Sequence, residues 1–234
     1  FPDLPEQKQK DLTFAMWHHL MLMVCEVAWA QRRLHRSNWH RHVRFHGNRT
    51  MLQHMLIDRP SVYVTGHFGN FEVGGYTMGV MGVGTLTIAR RLDNQHLHEW
   101  VEDFRSAKGQ SMVDKIGCAP IVEKHLSEGG MLSLLGDQHA GEKGLWTEFC
   151  GVPASCHKAL ALFSLTANAP MLSVYTRRVE GKPMQFESGL LGVVDPATGS
   201  ENGQSVGQLT EWYNEQLETM IDLAPEQYWW LHRR

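Results

Sequence analysis

From Ser61 to the end of the chain, short apolar or β-branched runs alternate with longer amphipathic ones, and this alternation restricts the fold more than any other feature. "SVYVTG" reads as a buried strand. "FEVGGYTMGVMG" follows as a helix whose small residues let it lie close against a sheet. "GTLTIAR" is a second strand, and "NQHLHEWVEDFRSAKG" is an amphipathic helix closed by Gly109. "APIVEKHLSEGG" is a further helix with a glycine stop, and "MLSLLGDQ" is a third strand. "HKALALFSLTANA" is helical, "PMLSVYTRR" and "MQFESGLLGVV" are strands, and "GQLTEWYNEQLETMIDLAPEQ" is a long helix ended by Pro225. Such a pattern predicts an α/β fold, with a central β-sheet covered by helices on both faces. Residues 1–60 read mostly as helix, from the proline-bounded start of "FPDLPEQKQKDL" onward. No repeat, low-complexity segment or linker interrupts the chain. The expectation is one domain over residues 1–234, with a helical lead-in at 1–60 and an α/β core at 61–234.

The totals fit one such domain: 234 residues, 42% hydrophobic and 20% charged. A net charge of -3 gives no general attraction to nucleic acid, and no nucleic-acid partner is expected. Charge is uneven locally. Between Val27 and Ile57 there is no Asp or Glu, yet Arg32, Arg33, Arg36, Arg41, Arg44 and Arg49 all fall there. That stretch is either a solvated basic surface or one that faces anionic lipid or phosphate. The four cysteines form no CxxC pair and read as reduced thiols of a cytosol-facing protein. The 14 histidines read as surface residues, because neither His40-Arg41-His42 nor His96-Leu97-His98 has companion ligands at a metal-binding spacing. No metal is expected. No segment reads as reaching the ~20 apolar residues of a spanning helix. "LMLMVCEVAWA", interrupted by Glu26, reads as a buried or interfacial amphipathic helix.

In α/β sheets, ligands sit beyond the carboxyl ends of the strands. Three strands here end in reactive or charged residues: the first at His67, the second at Arg90 and Arg91, the third at Asp137 and Gln138. "HFGNFE" sets His67 and Glu72 five residues apart, a spacing that suits neither a helix face nor one side of a strand. The two can meet only across a turn, which Gly69 and Asn70 permit. His67 then fits a general base, with Glu72 fixing its tautomer. Taken alone, the same residues also fit a buried histidine capped near a helix start. Arg90 and Arg91 fit a bidentate phosphate site or an exposed strand-end pair. Asp137 fits a partner for Arg90, a partner for a substrate hydroxyl, or a turn residue. "GEKGLWTEFCGVPA" is either part of an acyl pocket or a glycine-rich connection.

The blocks "HFGNFE", "ARRLDN", "GDQHAGEKGLWTEFCGVPAS", "APMLSVYTRR" and "PEQYWWLHRR" occur in that order. Together they resemble the bacterial lipid A late acyltransferases, of the lauroyl and myristoyl type, within the lysophospholipid acyltransferase superfamily. His67 and Glu72 match that family's HxxxxD/E signature, and Arg90 falls on the arginine of its "YRPLDN"-like block. Asp137 to Ala154 match its "DQ…G…G…F.G..A" block, and the opening "FPDLPEQKQ" is similar to its early segment. Ala89 and Arg91 stand where the family has Tyr and Pro, and His139 where many members have Asp.

The resemblance implies a mixed central sheet of the glycerolphosphate-acyltransferase type. It implies acyl transfer from a thioester of acyl carrier protein or CoA to a hydroxyl of a glycolipid, such as a lipid A precursor. Other implied acceptors are a phosphatidylinositol mannoside or an aminolipid, and the remaining alternative is a non-catalytic lipid-binding module. His67 would be the base and Glu72 its orienter. Arg90 would meet a phosphate or headgroup, Asp137, Gln138 and Asn70 would shape the polar side, and backbone N–H groups near Gly69 or Gly144 are candidates for the oxyanion. No cofactor is expected. The expected location is the cytoplasmic face of the bacterial inner membrane, with an anchoring segment upstream of Phe1 and contact with the membrane surface.

Overall fold

The computed structural model describes residues 4–232, the side chain of Asn48 excepted. The first residues of "FPDLPEQKQ" and the last two of "PEQYWWLHRR" lie outside the described residues. The chain opens with the 28-residue helix α1 (Glu6–Arg33). A short strand β1 (Val43–His46) and helix α2 (Asn48–Leu56) follow, and the α/β core then begins at β2 (Ser61–Thr65). Next come α3 (Phe71–Val80), β3 (Thr85–Ala89), α4 (Gln95–Ser106), β4 (Gln110–Asp114), α5 (Ala119–Ser127) and β5 (Met131–Leu135). A hairpin of β6 (Leu145–Phe149) and β7 (Val152–Cys156) precedes α6 (Ala159–Thr166), β8 (Met171–Arg178), β9 (Phe186–Val194) and α7 (Val206–Asp222).

Seven strands form one mixed sheet in the order β1-β9-β8-β2-β5-β3-β4. Only the β8–β9 pair is antiparallel. On one face, β2 contributes Val62 and Val64 to a core shared with Val122 and Leu126 of α5, Leu160 and Phe163 of α6, and Leu209 and Tyr213 of α7. On the other, Val27 and Ala30 of α1, Val73 and Tyr76 of α3, and Phe104 of α4 pack with Val43 and Phe186 of the edge strands. The alternation of residues along each strand therefore separates two cores, as expected for a sheet covered on both faces. The close approach of α3 depends on its glycines: a Cβ on Gly79 would lie 2.2 Å from the carbonyl oxygen of Lys108.

Three elements differ from the sequence reading. The lead-in is not wholly helical, because β1 joins the sheet edge through parallel pairing with β9. "QSMVD" is a strand, β4, paired along its length with β3. The glycine-rich "GLWTEFCGVPASC" is a hairpin that buries Phe149, Ala154 and Cys156 in the core. In each case pairing with another strand supplies what local pattern lacks.

Helix α1 has two apolar faces. Met16, Leu20, Met23, Val27 and Ala30 are buried, at the 3–4 spacing of one helix face. Phe14, Trp17, Met21, Val24 and Trp29 are exposed. By length and composition α1 is long and apolar enough to cross a membrane, which the shorter apolar run seen in the sequence did not suggest; 33% of its apolar window is buried against the protein.

Candidate active site

His67 and Asp137 meet because β2 and β5 are adjacent and in register. Thr65 is paired with Leu135, and Gly136 N donates to Thr65 O. Each strand is thus followed by a glycine and then by a polar residue at the same level. The Asp137 carboxylate is 0% exposed and accepts from His67 twice, from the backbone N–H at 2.6 Å and from Nδ1 at 2.8 Å. An acceptor at both oxygens requires Nδ1 to carry the proton, which leaves the lone pair on Nε2. This is the tautomer a general base needs.

The expected His67–Glu72 pair does not form. Glu72 lies in the first turn of α3 and its carboxylate receives Nε and Nη2 of Arg105 from α4. Both partners are largely buried, and they line a separate cavity between α3 and the sheet. Sequence spacing suggested the wrong carboxylate for a definite reason. The turn does bring the chain around, but α3 starts by pointing Glu72 toward its neighbouring helix.

That turn is held from all sides. Gly69 has φ of 57°, and a Cβ there would sit 2.0 Å from Thr176 O, so only glycine fits. Gly69 N donates to Gln227 O and Asn70 N to Thr176 O. Asn70, expected to touch substrate, is instead 0% exposed: its Oδ1 caps α3 at Val73 N and its Nδ2 donates to Glu26 of α1. Glu26 also accepts two bonds from Arg178, through Nε at 2.7 Å and Nη2 at 2.6 Å. Arg178 Nη1 lies 2.9 Å from Nδ1 of the buried His19. Since Arg178 can only donate, His19 Nδ1 accepts, and its Nε2–H donates to Gly69 O at 3.1 Å. Burial and then the Arg178 charge lower the His19 pKa to about 4, so the ring is neutral. His19 is therefore not the surface histidine its sequence context suggests.

The segment "QYWWLH" closes over the base. Trp229 N donates to His67 O, and Phe68 bridges to Tyr228. The rings of Phe71, Trp229 and His232 stand 5.1, 5.2 and 4.2 Å from that of His67. Burial, and next the neighbouring His67, hold the His232 pKa below the usual imidazole value, against the pull of Asp137. Sequence reasoning gave these residues no role, although their place in a block matching the family was a usable signal.

Beyond the ends of β3 and β5 opens a pocket of about 720 Å³. Arg90, Lys115, Glu123, Gln138, His139 and His157 contribute polar groups, and Leu134, Leu160 and Phe163 form its apolar part. His67 is not one of its walls; Gln138, next to Asp137, is. Arg90 stands at the rim with its side chain exposed, bonded to Asp93 rather than to Asp137. Gly144 N donates to Gly141 O, and a Cβ on Gly144 would lie 2.0 Å from Ser155 Oγ, so this glycine serves the close packing of the hairpin. Gly69 N and Gly144 N are thus both engaged within the protein and are not themselves open to an oxyanion.

The family model described as "Bacterial lipid A biosynthesis acyltransferase" matches residues 1–234. The chain belongs to that family. It is 27% identical over 188 residues to the lipid A biosynthesis palmitoleoyltransferase of Escherichia coli (strain K12), covering 78% of this chain and 58% of that protein. The same figures hold for the lipid A biosynthesis acyltransferase of Shigella flexneri. The chain thus spans 58% of the length of these curated relatives. Among solved structures, the 1-acyl-sn-glycerophosphate (LPA) acyltransferase PlsC from Thermotoga maritima aligns at a TM-score of 0.42 and 12% identity, over 92% of this chain and 84% of that one.

Proposed function

We propose that this family member transfers a fatty acyl group from a thioester, of acyl carrier protein or CoA, to a hydroxyl of a phosphorylated glycolipid of the lipid A precursor type. The observation that carries the reading is the His67–Asp137 pair, with Nε2 left as a base at the carboxyl ends of two adjacent parallel strands. His67 Nε2 takes the proton from the acceptor hydroxyl as its oxygen attacks the thioester carbonyl carbon. The tetrahedral intermediate then expels the thiolate, which receives that proton from His67. Asp137 stabilises the imidazolium between the two steps. No nucleophilic side chain is needed, since the substrate brings its own hydroxyl. Arg90 and Lys115 suit a phosphate at the rim of the adjoining pocket, and its apolar part suits an acyl chain.

The acceptor is a lipid, so the site must work at a membrane surface. All six arginines between Arg32 and Arg49 are exposed, and none pairs with a described carboxylate. Together with the exposed apolar stripe of α1, they suit an anionic bilayer on the cytoplasmic side.

Thiol release from acyl carrier protein and CoA thioesters, with mass spectrometry of the lipid product, tests this reading. Lipid A precursor, phosphatidylinositol mannoside and aminolipid serve as alternative acceptors. Wild type should release thiol and acylate the lipid A precursor, and His67→Ala should lose about 10²–10⁴-fold while staying folded. Lipid binding without thiol release from any donor, or near-normal turnover by folded His67→Ala, overturns it.

A further inference from the structure

Among the described residues, two buried polar atoms beside the base have no hydrogen-bond partner within the protein: Nε1 of Trp229 and Nε2 of His232. Such atoms are rare in folded proteins, and each costs about 1–3 kcal/mol if it stays unmet. Both belong to rings that touch His67, and the two rings stack on each other at 5.5 Å and 26°. Phe71 meets Trp229 edge-on at 5.6 Å, which returns at best a weak N–H···π contact. Their placement is not accidental slack in the chain, because Trp229 N is bonded to His67 O and Tyr228 is bridged to Phe68.

An indole Nε1–H can only donate. Beside a base that accepts a hydroxyl proton, two substrate oxygens could meet such a donor. Donation to the attacking oxygen would withdraw the lone pair that must form the new bond. Donation to the carbonyl oxygen assists the reaction, because negative charge develops there. His232 is held neutral, so its ring carries one N–H that can sit on Nε2 when an acceptor is present. Of the backbone donors around the turn and the hairpin, Gly69 N, Asn70 N and Gly144 N are already used.

We propose that Trp229 Nε1–H and His232 Nε2–H are catalytic donors that hold the carbonyl oxygen of the acyl thioester. As the acceptor oxygen bonds to the carbonyl carbon, the C=O electron pair moves onto this oxygen and the acceptor's proton moves to His67 Nε2. The two N–H groups stabilise the oxyanion. When the C=O bond re-forms, the C–S bond breaks and the thiolate leaves with the proton from His67. This assignment rests on the acyl-transfer reading above.

The test is steady-state kinetics of Trp229→Phe, which keeps an aromatic ring beside His67 and removes the N–H together with the five-membered part of the indole. With an acyl carrier protein or acyl-CoA thioester as varied substrate, kcat should fall by about 10²–10³-fold. The KM for the thioester and the melting temperature should stay near wild type. His232→Phe should lose kcat similarly, and His232→Gln, whose amide can still donate, should recover part of it. Wild-type kcat in Trp229→Phe, a loss confined to KM or to melting temperature, or no recovery in folded His232→Gln overturns the assignment. If wild type itself releases no thiol, the acyl-transfer reading falls and this one with it. If wild type is active and Trp229→Phe is unimpaired, this one falls alone.

Discussion

Replacing Asp137 by Asn tests the base assignment at the atom on which it depends. The carboxylate accepts from His67 N at 2.6 Å and from Nδ1 at 2.8 Å. An amide has one oxygen and one NH2. If the oxygen faces the backbone N–H, the NH2 faces Nδ1 and forces it to accept, so the ring proton moves to Nε2 and the base disappears. If the oxygen faces Nδ1, two donors oppose each other at the backbone, where the turn is held by Gly69 and Asn70. The first arrangement costs less, so the inactive tautomer should dominate. The same Asp-to-Asn exchange in a Ser-His-Asp triad costs about 10⁴-fold in kcat, or about 5 kcal/mol of activation free energy. Thiol release should show a comparable loss at near-normal melting temperature, because the exchange is almost isosteric. Glu72→Gln should behave oppositely. It weakens a largely buried pair with Arg105, which costs about 3–5 kcal/mol when broken outright and lowers melting on the order of 10 °C. Its kcat should fall less than that of Asp137→Asn. A folded Asp137→Asn keeping more than about a tenth of wild-type kcat, or a Glu72→Gln inactive at unchanged stability, would refute the reasoning.

Arg178→Met leaves the Glu26 carboxylate buried without its main partner, so urea unfolding should show a loss of about 3–5 kcal/mol, and Glu26→Leu combined with it should restore much of that. Full stability of the single variant would exclude the lock between α1 and the turn. His19 has a folded pKa of about 4 against ~6.5 when unfolded, so only the unfolded state binds its proton between these values. Its contribution is intact above pH ~6.5 and should be lost as pH falls toward 4, up to about 3 kcal/mol; His19→Gln should flatten the stability profile in that window, and an identical profile would remove His19 as the cause. Liposome co-sedimentation should rise with anionic lipid, fall with salt, and drop when Arg32, Arg33 and Arg36 become Gln; indifference to lipid charge would leave the basic stretch as ordinary surface.

The α/β architecture was legible because β2, β3, β5 and β8 are compact apolar runs and α3, α4 and α5 are each followed by a left-handed glycine. What escaped was decided by pairing. β1 lies in an arginine-rich stretch where only the four residues of "VRFH" alternate, and it is a strand because Val43 to His46 lie beside Phe186 to Gly189. The His67–Asp137 contact is of the same kind, since 70 residues separate the two. One signal for it was present. "TGH" and "LGD" each place a glycine and then a polar group directly after a strand, so adjacency of those strands would have brought the side chains level.

The five-residue spacing of "HFGNFE" then takes a different meaning from the one its sequence suggests. It does not join base to orienter. It fixes a turn with a left-handed glycine, a buried capping asparagine and a helix whose first acid grips the next helix. The turn's remaining hydrogen bonds run to β8, to the segment after α7, and through His19 and Glu26 to α1. The helix with the exposed apolar stripe and the loop carrying His67 therefore share one buried polar network. A shift of α1 against a membrane would therefore act on the backbone of Gly69 through His19 as well as on Arg178 at the end of β8 through Glu26.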